Sequence, residues 1–137
     1  MTPFPLKIVT PDGLKLDGKA QELVVRTTSG DMAVLAGHTD MVTPLGMGQA
    51  MIVTEEGSKR YAACIGGMLS VLAGEATLVA TTFEWAEDID VNRAEASKHR
   101  AEEILGKKGS TETDIKLAEA RLKRALVRTS VAQQKTR

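Results

Sequence analysis

Apolar residues in the first two thirds of the chain come in short runs that are separated by turn residues. Val, Ile, Leu or Ala recur through 6–9, 22–26, 49–54, 59–65 and 76–82. Gly, Pro, Asp, Ser or Thr stand between these runs. Strand-like segments repeating roughly every 8–12 residues are typical of antiparallel sandwiches and barrels. The connections are too short for crossover helices, so we expect antiparallel pairing and no parallel pair.

Turn chemistry predicts where individual strands end. Residues 55–58, Glu-Glu-Gly-Ser, and residues 73–75, Ala-Gly-Glu, each predict a hairpin loop. Asp17 and Gly18 predict a break between a short strand at 14–16 and the next strand. The segment 36–48 fits no plain strand, because it is long, glycine-rich and only partly apolar. It is either an irregular connection or a contact surface, since exposed Met is favoured at binding surfaces.

The period of the apolar residues changes to that of a helix from position 88 to the end of the chain. Proline is absent from this part, and Ala, Glu, Lys and Arg dominate it. A first helix is predicted from about Ile89 to Leu105, with Asp88 or Asp90 as its N-cap. The glycine-bounded turn at 106–110 ends this helix.

A second helix is predicted after Thr111, which forms a capping-box pattern with Asp114. Its apolar stripe is narrow and consists mostly of small residues: Ile115, Ala118, Leu122, Ala125 and Thr129. Such a stripe suits close packing of two antiparallel helices but is too thin to stabilise a two-helix domain alone. We therefore expect the hairpin to pack on the β-rich part or on a partner.

These patterns predict a β + α chain. An antiparallel β-sandwich or flattened barrel is expected over 1–84, and an antiparallel two-helix hairpin over 85–137. The first part carries six Lys and Arg against nine Asp and Glu, a net charge of −3, and the second carries twelve against nine, a net charge of +3. The single cysteine, Cys64, lies in a strand pattern and is expected to be a small buried hydrophobe. No signal or membrane-spanning pattern is present, which indicates a cytoplasmic protein.

Two arginine sets share helical faces. Arg93 and Arg100 are seven residues apart, while Arg121, Arg124 and Arg128 are spaced by three and four. When the hairpin folds, Arg124 and Arg128 are expected near the first set. Guanidinium groups suit phosphates, so the cluster indicates an anion site; the alternative is a solvated face with routine surface ion pairs.

Signals for catalysis and metal binding are absent from the sequence. Two histidines and one cysteine leave no metal-ligand cluster, and no serine lies on a nucleophile-elbow motif. We therefore expect no catalytic residue, no metal site and no enzymatic activity of the chain itself.

The order of four motifs resembles the epsilon subunit of bacterial F-type ATP synthases. The motifs are Gly-Asp-Met-Ala-Val-Leu-Ala-Gly-His with its continuation over 30–48, Gly-Gly-Met-Leu-Ser-Val at 66–71, Ile-Asp-Val-Asn-Arg-Ala at 89–94, and Leu-Lys-Arg-Ala with Arg-Thr-Ser-Val over 122–131. The resemblance covers essentially the whole chain. Ala36 stands where the family usually has Pro, and Ala33 where it often has Gly.

The resemblance implies a non-catalytic, regulatory subunit of the central stalk in a proton- or sodium-translocating synthase, peripheral on the cytoplasmic face of the cell membrane. Its sandwich would bind the gamma subunit and the c-ring, and its hairpin would extend into the alpha/beta catalytic head to block ATP hydrolysis. No cofactor is required, but ATP is implied as a regulatory ligand of the folded hairpin. The implied ATP residues are Glu84, Ile89, Asp90, Arg93, Ala94, Arg100, Arg124 and Arg128. The rotor contact is assigned to Asp31, His38, Met41 and Met47.

Two other interpretations were weighed. The basic hairpin would suit a small nucleic-acid-binding module, although it also holds nine acids and Trp85 is its only aromatic residue, so the predicted partners include no nucleic acid. A free-standing nucleotide sensor would require tight ATP binding without other subunits.

Overall fold

The computed structural model describes residues 2–136, with side chains through Gln134. The described residues form seven strands: β1 (Phe4–Thr10), β2 (Gly13–Thr27), β3 (Gly30–Val34), β4 (Met41–Pro44), β5 (Met47–Thr54), β6 (Lys59–Leu72) and β7 (Glu75–Trp85). After these come a 3-10 turn (Ala86–Asp88), helix α1 (Val91–Gly106), helix α2 (Glu112–Ala132) and a second 3-10 turn (Gln133–Thr136).

The strands close on themselves. The pairing order runs β1, β7, β6, β5, β2 and β3, and β1 also pairs with β2, while β4 lies beside β6. This closure gives a flattened barrel whose interior is filled by alternating side chains such as Leu6, Leu23, Ile52 and Leu78, all fully buried. The predicted fold class, a β-sandwich or flattened barrel followed by an antiparallel helical hairpin, is confirmed.

The expectation of antiparallel pairing throughout was wrong for one pair. β1 and β7 are parallel, with Leu6 opposite Ala76 and Val9 opposite Val79. Short connections restrict the pairing of strands that follow each other in sequence. β1 and β7 are the first and last strands, so the connection between them is the rest of the barrel and imposes no such restriction.

The predicted break at Asp17 and Gly18 was also wrong. Both residues lie inside β2, where Asp17 pairs with Lys7 and Gly18 pairs with Leu6. Turn-forming residues interrupt a strand only if the chain reverses there, and here both backbone segments stay hydrogen-bonded to β1. The segment 36–48, which was expected to be irregular, contains β4 and the start of β5.

The hairpin packs as its narrow stripe predicts. Ala94 and Ala101 of α1 and Ala118 and Ala125 of α2 are buried, whereas Ile115 is 36% exposed. The end of α2 rests on the barrel in a second apolar cluster. The cluster consists of Ala63, Ala86, Ile89, Val131 and Ala132, with Tyr61, Val91 and Val127 beside it.

The helix ends follow the capping prediction. Asp90 is the N-cap of α1, and its Oδ1 accepts a hydrogen bond from the backbone N–H of Arg93 at 3.0 Å. Thr111 caps α2 in the same way, accepting from the N–H of Asp114 at 3.1 Å. α1 begins at Val91 rather than at Ile89, because Ile89 is extended and buried in the second apolar cluster.

Gly67 in β6 gives a test of the barrel packing. Its φ is +116°, and a Cβ there would lie 2.0 Å from the carbonyl oxygen of Val79. Gly57, in the hairpin loop, has a φ of +92° but nothing within 4 Å of a Cβ. We expect Gly67→Ala to cost at least about 3 kcal/mol and Gly57→Ala about 1 kcal/mol of unfolding free energy, measured by urea denaturation. Equal costs would mean that backbone strain alone, without the clash, sets the effect.

Candidate functional site

A cleft of about 560 Å³ lies where the barrel meets the helical hairpin. Its walls come from the turn between β1 and β2, the end of β7, the 3-10 turn after β7, and both helices. The charged residues in its lining are Asp12, Lys15, Glu84, Asp88, Asp90, Arg93, Arg100 and Arg128. Phe83, Trp85, Ala94 and Ala125 add apolar surface to the same cleft.

Arg93 and Arg100 lie two turns apart on the cleft side of α1. Both are exposed, and among the described residues no carboxylate lies within 4.0 Å of either guanidinium group. Two cations that face one cleft without a counter-ion repel each other. An anion that reaches both would therefore be stabilised.

Arg128 reaches the cleft from α2 and is already paired. Its Nε donates to Oε1 of Glu84 at 2.5 Å, with the two side chains 27% and 32% exposed. This charge-assisted hydrogen bond connects β7 with α2, and at this exposure it contributes about 1–2 kcal/mol to docking of the hairpin. A ligand that uses Arg128 must replace the carboxylate of Glu84.

The carboxylates of the cleft are partly engaged in the protein. Glu84 holds Arg128, and Asp90 accepts from the start of α1. Four basic and four acidic side chains line the cleft, so its formal charge is balanced and its anion preference depends on which groups are engaged. Among the described residues, no group of three His, Cys, Asp or Glu is placed to hold a metal ion.

Six of the eight residues assigned to ATP line this cleft. They are Glu84, Asp90, Arg93, Ala94, Arg100 and Arg128. Ile89 does not, because it is 4% exposed and packs in the second apolar cluster. Arg124 does not either: the expectation that it would lie beside Arg93 and Arg100 was wrong, since Ala125 provides the cleft lining on that turn of α2.

Sequence reasoning missed Asp12, Lys15 and Ser97 as cleft residues. Asp12 and Lys15 lie about eighty positions before the hairpin arginines and no motif connects them. Ser97 lies between Arg93 and Arg100 on α1, so its helical position alone would have suggested it.

The junction between barrel and hairpin is held by Arg60 of β6. Its guanidinium carbon lies 3.6 Å from the ring centroid of Trp85, and its Nη2 donates to Oε1 of Glu87 at 2.7 Å. Trp85 also packs edge-on to Phe83, with 5.0 Å between ring centroids, and is only 8% exposed. A ring so covered cannot act as a stacking platform, which speaks against the nucleic-acid interpretation.

The four residues assigned to a rotor contact are not gathered into one surface. Asp31 pairs with Arg26, Oδ1 to Nε at 2.6 Å, and this hydrogen bond raises the pKa of Arg26. Nδ1 of His38 lies 2.8 Å from the carbonyl oxygen of Thr39. Met41 and Met47 are half-buried, and Met41 packs against the barrel core.

An exposed apolar face lies beside this segment. Val42 of β4 is 66% exposed, and Met68, Leu72 and Val79 of β6 and β7 are 43%, 64% and 51% exposed. Pro44 pairs with Met68, and Met68 pairs with Val79, so these side chains form a row across three strands. Alternation along β4, with Met41 inside and Val42 outside, is the sequence signal that would have found it.

Cys64 is buried as expected. It is 3% exposed in the barrel interior, and burial raises the pKa of its thiol to about 12. Neither helix, within the part of the chain that the structure describes, has a segment apolar and long enough to cross a bilayer.

Comparison with known proteins places the chain in one family over nearly its whole length. Residues 3–86 match the family described as "ATP synthase, Delta/Epsilon chain, beta-sandwich domain", and residues 87–133 match "ATP synthase, Delta/Epsilon chain, long alpha-helix domain". The ATP synthase epsilon chain of Bacillus velezensis is 42% identical over 132 residues, covering 96% of this chain and 98% of that one. The epsilon chain of Ruminococcus albus is 39% identical, covering 98% and 100%.

Solved structures show the same fold. A chain of the Euglena gracilis mitochondrial ATP synthase (OSCP, F1 and c-ring) superposes with a TM-score of 0.80 at 23% identity, covering 90% of this chain and 77% of that one. A chain from the central stalk and c-ring of the Tetrahymena thermophila mitochondrial ATP synthase gives a TM-score of 0.60 at 14% identity, covering 93% and 95%. With both halves matched in order, the chain belongs to the epsilon-chain family of bacterial F-type ATP synthases.

Proposed function

We propose that this protein is a non-catalytic subunit of the central stalk in a proton- or sodium-translocating ATP synthase. In this proposal the barrel fastens the gamma subunit to the c-ring, and the protein is held at the cytoplasmic face of the cell membrane through that complex. Family membership and the fold shared with chains of two mitochondrial synthases support it. The partners follow from this assignment: gamma, the c-ring, and the alpha/beta head when the hairpin extends.

The exposed apolar face is the surface that we assign to the rotor contact. Val42, Met68, Leu72 and Val79 form a strip that is contiguous with β4, inside the segment 31–48. Contiguous exposed apolar surface of this kind marks interaction sites. Of the four residues first assigned there, His38 lies in the turn that precedes β4, while Asp31 serves first as the partner of Arg26.

We further propose that the cleft binds ATP and that binding regulates the hairpin. The observation that carries this proposal is the pair of unpaired guanidinium groups, Arg93 and Arg100, facing a cleft beside a third arginine, Arg128. In this arrangement the phosphates bind Arg93 and Arg100, and Asp90 acts as the helix cap rather than as a ligand. Glu84 would meet the neutral part of the nucleotide once it releases Arg128.

The remaining assigned residues act around the ligand rather than on it. Ala94 is 4% exposed and leaves room for the nucleotide beside α1, and Ile89 anchors the chain at the entrance to that helix. Arg124, one turn of α2 before Arg128, lies outside the cleft lining and is not needed for binding.

Linkage fixes the direction of the regulation. The cleft exists only while the hairpin is docked on the barrel, so its ligand stabilises the docked state. Rising ATP would then retard extension of the hairpin toward the catalytic head and relieve inhibition of hydrolysis. ATP acts here as a regulatory ligand, not as a required cofactor.

Calorimetric titration of the isolated subunit with ATP tests the binding proposal. A charged hydrogen bond contributes roughly 1.5–3 kcal/mol, so Arg93→Ala should weaken binding at least about tenfold. Arg121→Ala is the matched control, because Arg121 is an exposed helical arginine outside the cleft. No heat from the parent chain at millimolar ATP, or equal losses in both variants, would contradict the assignment of the cleft.

Removal of all residues after Asp88 tests the division between barrel and hairpin. The core of the barrel is formed by β1–β7 without the helices, so the truncated chain should remain soluble and still join the complex. ATP hydrolysis by the assembled enzyme should rise when the hairpin is absent. A truncated chain that folds but fails to assemble would show that the hairpin is part of the rotor contact.

Charge placed on the apolar face tests the rotor contact. Val42→Asp should weaken binding to gamma and the c-ring by at least about tenfold, because a carboxylate would be desolvated in the interface. Leu14→Asp is the matched control, since Leu14 is 57% exposed but lies at the start of β2. The measurement is co-purification and surface-based binding of the full chain; equal binding of both variants would move the interface to another face.

A further inference from the structure

Lys15 occupies an irregular position in the barrel. Leu16 of β2 pairs with Ile8 of β1, and Leu14 pairs with Val9, so Lys15 is an extra residue without a partner on β1. This is a β-bulge, a feature that bends the strand and re-aims the side chain of the extra residue.

The bulge decides which way the neighbouring side chains face. In a regular strand Leu14 and Leu16 would share one face, because side chains alternate. Here Leu16 packs against the barrel core while Leu14 is 57% exposed. Lys15 between them is half-buried and lines the cleft, across from α1.

Lys15 is also without a counter-ion. Among the described residues no carboxylate lies within 4.0 Å of its ammonium group, although Asp12 of the same hairpin lines the cleft. Arg93 and Arg100 on the opposite wall are in the same condition. Three unpaired cations on two sides of one concavity of about 560 Å³ suit an anion that spans it.

We propose that Lys15 is a further phosphate-binding residue of the cleft, contributed by the barrel rather than by the hairpin. The inference rests on the proposed function of the cleft and adds the residue that connects the ligand to the β module. A polyphosphate held by Lys15 on one side and by Arg93 and Arg100 on the other bridges the two parts of the chain.

The bridge gives the ligand a reason to distinguish docked from undocked hairpins. A nucleotide that touched only α1 and α2 would bind equally well to a hairpin that had left the barrel. A ligand shifts an equilibrium only through its differential affinity for the two states. The contact with Lys15 exists only in the docked state and supplies that difference.

The test is calorimetric titration of the full chain with ATP and with AMP. Lys15→Met keeps the aliphatic stem and removes only the ammonium group, so it should weaken ATP binding roughly tenfold and AMP binding much less. Lys7→Met is the matched control, because Lys7 is exposed on β1 outside the cleft and should leave binding unchanged. Lys15→Arg should retain most of the affinity.

Asp12 provides a second variant of opposite sign. Asp12→Asn removes a negative charge from the wall that holds Lys15, so ATP should bind the variant at least as tightly as the parent chain. Thermal melts without ligand check that each variant is folded.

The outcomes separate the two proposals. Absence of ATP binding by the parent chain overturns the function proposed for the cleft, and the role of Lys15 with it. ATP binding that Lys15→Met and Lys7→Met leave equal overturns the role of Lys15 alone. An equal loss of ATP and AMP affinity would also overturn it, because the ammonium group would then not contact the terminal phosphates.

Discussion

The seam between the two helices is made of alanines. Ala94, Ala101, Ala118 and Ala125 are buried there, while Leu117 and Leu126 of α2 are 55% and 45% exposed. Burial of a methyl group contributes about 0.8 kcal/mol, whereas ordering one residue costs roughly 1–2 kcal/mol. The hairpin therefore depends on its contact with the barrel, and everything that happens at that contact decides whether the hairpin stays docked.

Two kinds of interaction make up this contact, and they respond differently to a ligand. The apolar cluster around Ile89 and Val131 is independent of charge and of bound anions. The ion pair between Glu84 and Arg128 is polar and lies in the cleft itself. A phosphate competes with Glu84 for Arg128 because one guanidinium group cannot face both fully. Ligand binding thus exchanges one docking interaction for another, and the net stabilisation of the docked state is smaller than the sum of the contacts.

The sequence predicted the elements whose signals are local. Asp90 and Thr111 as helix caps, the alanine stripe, and Arg93 and Arg100 on one face of α1 all follow from spacing within one helix. Features that depend on distant pairing were not predictable in this way. The parallel β1–β7 pair joins the two ends of the barrel, and the bulge at Lys15 shows only when β1 and β2 are aligned residue by residue.

The junction determines where the hairpin can pivot. Arg60 holds both Trp85 and Glu87, and Ala86 and Ile89 are 2% and 4% exposed, so the chain stays attached to the barrel through Ile89. Asp90 is the next residue, extended and exposed, and α1 starts directly after it. Extension of the hairpin as proposed would thus rotate α1 about Asp90 while the end of α2, with Val131 and Ala132, leaves the barrel. The cost of that movement falls on α2 and on the Glu84–Arg128 pair, which places the control of the hairpin at the cleft and not at the strand end.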